Sequence, residues 1–210
     1  MSQRSGKLIT FEGSDGSGKS TNIELMREYL TKSGVDVLVT REPGGTEVGE
    51  LVRNILLTCD DLTTTTELLL IFAARAQHIE QVIVPALASG KCVLSDRYID
   101  ATYAYQGFGR GMEERVIKAI ELVLPNFIKP DLTILFDVPV ALSFDRMRLR
   151  DNPSDRFEAE AIQFFENVRN GYLYRAKQFP ERIKVIDSTQ PLSDVENNVK
   201  QELKTYLKLQ

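Results

Sequence analysis

A chain of 210 residues with 42% hydrophobic content has enough apolar material for one sizeable core, and it is read as a single domain over 1–210. Its 26 Lys and Arg stand against 30 Asp and Glu, a formal charge of −4, so neither nucleic acid nor a membrane surface is an expected partner and any anion site must be local. Cys59 and Cys92 lack a metal-ligand spacing and read as reduced thiols of a cytoplasmic protein, and no apolar run reads as a membrane span or a leader.

The first strand, Lys7 to Phe11, runs into Gly13-Ser14-Asp15-Gly16-Ser17-Gly18-Lys19-Ser20, followed by a helix over Thr21 to Thr31. This is a complete G-x-x-x-x-G-K-S phosphate loop at the strand-to-helix junction that the motif requires. Its glycines let successive N–H groups point inward at the positive end of a helix, where a polyphosphate fits. Lys19 would bridge terminal phosphates and the Ser20 hydroxyl would face a magnesium ion. A chance glycine-rich turn would not fix four residue identities in that context.

Ser33-Gly34 caps the helix, and Val35 to Thr40 reads as a second strand ending in the polar loop Arg41-Glu42-Pro43-Gly44-Gly45-Thr46. Open α/β sheets place ligands at such carboxyl ends, which makes Arg41 a candidate for an anionic substrate; alone, the loop is equally a solvated one with a surface ion pair. Helices are expected over Val48 to Thr58, with Arg53 on the polar side, and over Glu67 to Ala88, with 60–66 a flexible connection. Phe72, Arg75, Gln77 and His78 interrupt the apolar pattern of the second of these. Arg75 therefore either reaches solvent or points into a cleft, while His78 reads as a satisfied structural histidine.

A third strand, Lys91 to Ser95, leads into Asp96-Arg97-Tyr98, and a carboxylate at that place helps hold magnesium in phosphate-loop proteins. The aromatic stretch from Ile99 to Gly111 reads as core rather than as a base-stacking platform. Further elements are a helix over Glu113 to Leu124, a strand over Leu132 to Asp137, and a helix starting at Pro139 that carries Arg146, Arg148 and Arg150. The Asn152-Pro153 turn reads as part of a helical lid spanning about 144–157. A helix over Phe157 to Gln178, a strand over Ile183 to Asp187 and a helix over Val195 to Leu207 complete the chain.

Five buried strands alternating with helices predict an α/β fold, a parallel sheet covered on both faces. The chemistry that suits it is phosphoryl transfer, in which positioning and charge neutralisation carry catalysis. Lys19, Ser20 and Asp96 would handle a triphosphate and Mg²⁺, Arg41 and Arg97 an anionic acceptor, and a lid arginine the transferring group. An acceptor phosphate is already ionised, so no base is needed. A deoxynucleoside kinase would instead need a carboxylate base, for which Glu12 is available, but would leave two arginines without an anion. A nucleotide-dependent switch would want an Asn-Lys-x-Asp base-reading motif, which the sequence lacks.

Five ordered motifs, Glu12 to Thr21, Thr40 to Thr46, Phe72 to Gln77, Asp96-Arg97-Tyr98 with Ala104 to Gly107 and Gly109 to Gly111, and Asp155 to Glu158, resemble the bacterial type of thymidylate kinase. The resemblance implies a nucleoside-monophosphate-kinase fold, transfer of phosphate from ATP to dTMP with Mg²⁺, and a homodimer. It assigns Gly13, Ser14, Asp15, Gly16, Ser17, Gly18, Lys19, Ser20 and Thr21 to ATP, and Ser20 and Asp96 to the metal. Asp15 would meet the sugar 3′-hydroxyl, Arg41 and Arg97 the dTMP phosphate, and Arg75 the thymine carbonyl. Thr102 and Gln106 would meet the other edge of the base with Arg53 nearby, and Tyr105 would lie under the sugar. Where an aromatic residue usually covers thymine this chain has Ile71, with Phe72 one position along; either covers the base. Gly16 carries no charge, so Arg146 or Arg150 from the lid would join Lys19 and Arg97 as catalytic groups.

Overall fold

The protein was analysed as a computed structural model, in which residues 5–124, 126–148 and 160–209 are described. Five strands, β1 Lys7–Glu12, β2 Val37–Arg41, β3 Cys92–Asp96, β4 Leu132–Asp137 and β5 Ile183–Asp187, form one parallel sheet in the order β2-β3-β1-β4-β5. All five expected strands are present. The phosphate loop therefore leaves the central strand, where the order reverses and crossovers part to open a crevice.

Side chains on a strand alternate between faces, and each face of this sheet has its own core. Ile9, Phe11, Leu94 and Ile134 pack beneath α1 (Lys19–Lys32) and α9 (Leu192–Leu207). Leu8 and Val93 point the other way, against Leu68, Phe72 and Ile79 of the helical run beginning with α3 (Thr64–His78) and against Tyr98. Edge strands β2 and β5 are more exposed, as edges are.

Several boundaries differ from the sequence reading. Helix α1 ends in two crossed bonds, Gly34 N–H to Thr31 O at 3.0 Å and Val35 N–H to Leu30 O at 3.0 Å, with Gly34 at φ +81°. That spends the Val35 amide on the cap, so β2 starts two residues later than expected. Helix α2 spans Glu47–Thr58. The polar stretch before α3 is ordered helix start: Thr63 accepts the Thr66 N–H at 3.2 Å, so the helix begins at Thr64, not Glu67.

Instead of one regular helix to Ala88, α3 passes through a π-helical turn at Ile79–Ile83 into α4 (Val84–Ala88). Pro85 cannot donate to the carbonyl one turn upstream and its ring crowds that carbonyl, so the helix widens. By length and composition Thr64–Ala88 does reach membrane-spanning size, unlike the sequence reading; its most apolar window is 44% buried, and it carries buried Glu67, Arg75 and His78. It is packed on the sheet as a core helix.

The aromatic stretch is α5 (Ile99–Thr102) continuing into a second π-helical turn at Tyr103–Gly109, packed against α8 (Ile162–Gln178). Helix α6 covers Glu114–Glu121, and α7 covers Val140–Arg148. Residues 149–159, including Arg150, the Asn152-Pro153 turn, the Asp155 to Glu158 motif and most of the expected lid, lie outside the described residues.

Candidate active site

The phosphate loop is closed by its own backbone and by α7. Gly13, Gly16 and Gly18 have φ of +141°, +77° and +89°. A Cβ on Gly16 would lie 2.4 Å from the Ser143 carbonyl oxygen, so both backbone and space demand glycine there. The Ser143 hydroxyl donates to the Asp15 carbonyl, and Arg146 reaches the Gly16 carbonyl at 3.5 Å and the Ser188 carbonyl at 2.9 Å. Lys19 opens α1 and its ammonium donates to Ser14 O at 3.2 Å. Burial, then the nearby Arg97 charge, presses it below its ordinary pKa. Ser14 and Ser17 are buried in the loop, while Ser20 and Thr21 are exposed on the first turn of α1.

At the end of β3, Asp96 accepts the Ser20 hydroxyl at 3.4 Å through one oxygen, while the other is buried without a hydrogen-bond partner. The next residue, Arg97, has φ +66°, a left-handed conformation that arginine rarely takes. The turn is held by Arg97 N–H to Phe11 O at 2.9 Å and by the Ser95 hydroxyl on the Arg97 carbonyl at 2.7 Å. Its guanidinium is thereby aimed across the sheet ends to Asp15 at 2.7 Å and the Tyr105 hydroxyl at 3.1 Å.

These residues border a cavity of about 220 Å³ lined by Asp15, Arg53, Arg75, Arg97, Thr102, Tyr105 and Gln106, with Pro43, Leu56 and Ile71 as apolar wall. Every acceptor residue expected from the sequence is there except Arg41 and Phe72. Arg41 pairs with Glu50 at 2.8 Å and lines an adjacent cavity of about 530 Å³ with Ser20 and Asp96. Phe72 is 4% exposed in the core, its ring centroid 5.1 Å from the Arg75 guanidinium, so it supports the arginine from behind while Ile71 faces the cavity. Arg53 donates to Pro43 O at 3.2 Å; its pKa is lowered first by burial, then by the like charges of Arg41 and Arg97. Such a gathering of guanidinium groups suits a phosphate.

Arg75 does point into the cleft, and it is 2% exposed. Its three nitrogens donate to Glu42 at 2.6 Å, Thr102 at 3.0 Å and Tyr98 O at 3.1 Å. Gln106 donates to buried Glu67 at 2.8 Å. Glu42, His78 and Glu67 have no role in the sequence reading, which holds Glu12 available only as the base of a deoxynucleoside kinase. A signal for the first was present: an arginine buried in an apolar helix needs a carboxylate, and Glu42 stands at the carboxyl end of a neighbouring strand. Glu12 is fully buried, accepting Tyr98 N–H at 2.8 Å and the Tyr172 hydroxyl at 2.9 Å, and it does not line the cavity.

A phosphate loop on the central strand of a five-stranded parallel sheet, opening beside a cationic cavity with polar groups at its far end, defines a P-loop nucleotide kinase. A profile of the thymidylate kinase family matches residues 11–199. The thymidylate kinase of Vesicomyosocius okutanii is 50% identical over 198 residues, covering 93% of this chain and 96% of its own length. That of Pseudomonas savastanoi is 48% identical, covering 97% and 98%. The crystal structure of thymidylate kinase from Ehrlichia chaffeensis superposes with a TM-score of 0.78 at 36% identity, over 95% of this chain and 98% of that one. The chain belongs to the thymidylate kinase family.

Proposed function

We infer that this chain transfers the terminal phosphoryl group of ATP to the phosphate of dTMP, giving dTDP and ADP. The observation that carries this reading is Arg97: held in a left-handed turn, it joins the phosphate loop at Asp15 to the cavity that contains Arg75. In this assignment Arg97, Arg53 and, from the adjoining cavity, Arg41 hold the acceptor phosphate, and Asp15 meets the sugar beside Tyr105. Two of the Arg75 nitrogens are terminal and keep one further N–H each, a match for the thymine carbonyl. Thr102 and Gln106 take the other edge of the base, and Ile71 covers its face.

The acceptor oxygen is ionised at neutral pH, so the protein needs to align it, exclude water and stabilise charge. Lys19 and the loop amides do so at the donor, and Arg146, already on the loop rim, is the described arginine placed to add charge. Ser20 and the partnerless oxygen of Asp96 fit a magnesium ion, which would neutralise the phosphate charge of bound ATP. A deoxynucleoside kinase would require Glu12 as base, yet both its oxygens accept protein hydrogen bonds away from the cavity. Incubation with ATP and either dTMP or thymidine, followed by product chromatography, tests the assignment. Conversion of dTMP to dTDP is expected; faster conversion of thymidine would reverse it.

We further propose a homodimer in the cytoplasm. Helix α2 turns Val48, Leu51 and Ile55 outward on one face, 45%, 63% and 42% exposed, and α3, which packs on α2, exposes Leu69, which suits a second copy. Exposed Cys59 and buried Cys92 are unpaired, as in a reducing compartment.

A further inference from the structure

A buried arginine can read a base only if its guanidinium is fixed in plane and direction. Arg75 is anchored at its inner nitrogen by Glu42, so the direction of its two outward N–H bonds depends on where that carboxylate stands. Glu42 is 4% exposed, so its orientation is set by the protein groups around it. Its second oxygen is held by His78 Nδ1 at 2.9 Å. A carboxylate only accepts, so Nδ1 carries a proton and donates to it, while Nε2 shares a hydrogen bond with the Thr40 hydroxyl at 2.6 Å. Burial would push the Glu42 carboxyl up, but Arg75 and then His78 outweigh it and hold it below its ordinary pKa.

The imidazole is itself clamped. His78 is 0% exposed, lies three residues beyond Arg75 on the same helix face, and immediately precedes the π-helical turn. Gly45 closes over it: a Cβ there would be 2.7 Å from both His78 Nε2 and the Thr40 hydroxyl, and φ is +76°. The ring does not line the cavity and cannot touch substrate.

We propose that His78 is a positioning residue for base selectivity, transmitting the geometry of β2 and its glycine loop through Glu42 to the Arg75 guanidinium. This rests on the reading of Arg75 as the group that meets the base. Thymine and uracil present an acceptor carbonyl to those donors, whereas cytosine presents an amino group in its place. Loss of the His78–Glu42 bond therefore lowers preference for dTMP over dCMP and leaves preference for dTMP over dUMP unchanged. A general loosening of the cavity would move both.

The test replaces His78 by two amides of different reach. In His78→Asn the amide stands near the place of Nδ1 and can still donate to Glu42; in His78→Gln it stands near Nε2 and keeps only the Thr40 side. Arg75→Ala is the reference, and kcat/KM is measured for dTMP, dCMP and dUMP, with KM for ATP as control. His78→Gln is expected to lower the dTMP/dCMP ratio roughly tenfold, the discrimination of about one hydrogen bond, with His78→Asn close to wild type. Equal ratios in the two variants would overturn the relay. If Arg75→Ala itself keeps the wild-type ratio, the reading of Arg75 fails instead. Should the variants not fold, the untagged wild-type chain serves, because His78 is its single histidine. Its imidazole nitrogen resonances should respond to dTMP and not to ATP alone; an equal response to both, or to neither, would likewise overturn the proposal.

Discussion

Glu12 offers the sharpest physical test of this site. It is fully buried at the end of the central strand, and burial first, then the Asp100 carboxylate, pushes its pKa from an ordinary 4.5 to about 8. The Tyr172 hydroxyl, the Tyr98 N–H and the Arg97 charge pull the other way without prevailing. Below the ordinary value the group is neutral in folded and unfolded chains alike. Between 4.5 and about 8 it ionises only in the unfolded chain, so stability is lost as pH rises through this window, and above it the slope vanishes. At about 1.4 kcal/mol per pH unit the loss by neutral pH is roughly 3 kcal/mol, and over the whole window on the order of 5 kcal/mol. Glu12→Gln keeps the shape and an acceptor for Tyr98 N–H but cannot ionise. Urea unfolding of both proteins between about pH 5 and about pH 8 should therefore show the variant gaining on wild type with rising pH by a few kcal/mol. A difference between the two that stays constant across that range would falsify the assignment of a protonated Glu12.

Three further outcomes are expected. Lys19→Ala should lower kcat by orders of magnitude, a loss of about 3–4 kcal/mol of transition-state stabilisation, and near-normal turnover at saturating ATP and dTMP would contradict its placement at the transferring group. Gly16→Ala should lower the thermal midpoint and kcat together, because its Cβ meets the Ser143 carbonyl and forces α7 off the loop; an unchanged midpoint would mean that α7 yields freely. Arg146→Lys and Arg150→Lys keep a charge but lose the planar fork, so at least one should reduce kcat strongly with dTMP affinity, read by calorimetry, near wild type. Wild-type turnover in both, and in the double variant, would place the catalytic arginine elsewhere.

The sheet was legible because all five strands announce themselves as short apolar runs bounded by turn residues, and a parallel sheet buried on both faces needs nothing more. Helix ends were less legible because they depend on individual bonds. Whether Val35 begins a strand depends on its amide being taken by Leu30 O, and Thr63 starts a helix only because its hydroxyl meets the Thr66 amide. The π-helical turns were invisible to a periodicity read at 3.6 residues per turn, although Pro85 marked one of them.

In the site, residues with a motif were found and residues that hold them were not. Lys19, Asp96 and Arg97 lie at fixed spacings in local patterns, whereas Glu42 and His78 act on Arg75 from 33 residues upstream and from one turn along its own helix, a relation set by tertiary contact. Gly16 shows the same limit from the other side. In the sequence it reads as a missing charge, but in the structure α7 occupies the space into which any side chain at that position would grow. The loop cannot carry its own arginine, and the helix that excludes it brings Arg146 to the Gly16 carbonyl. One packing contact thus removes a cation from the loop and supplies another from outside it, which ties charge at the phosphate loop to the position of α7.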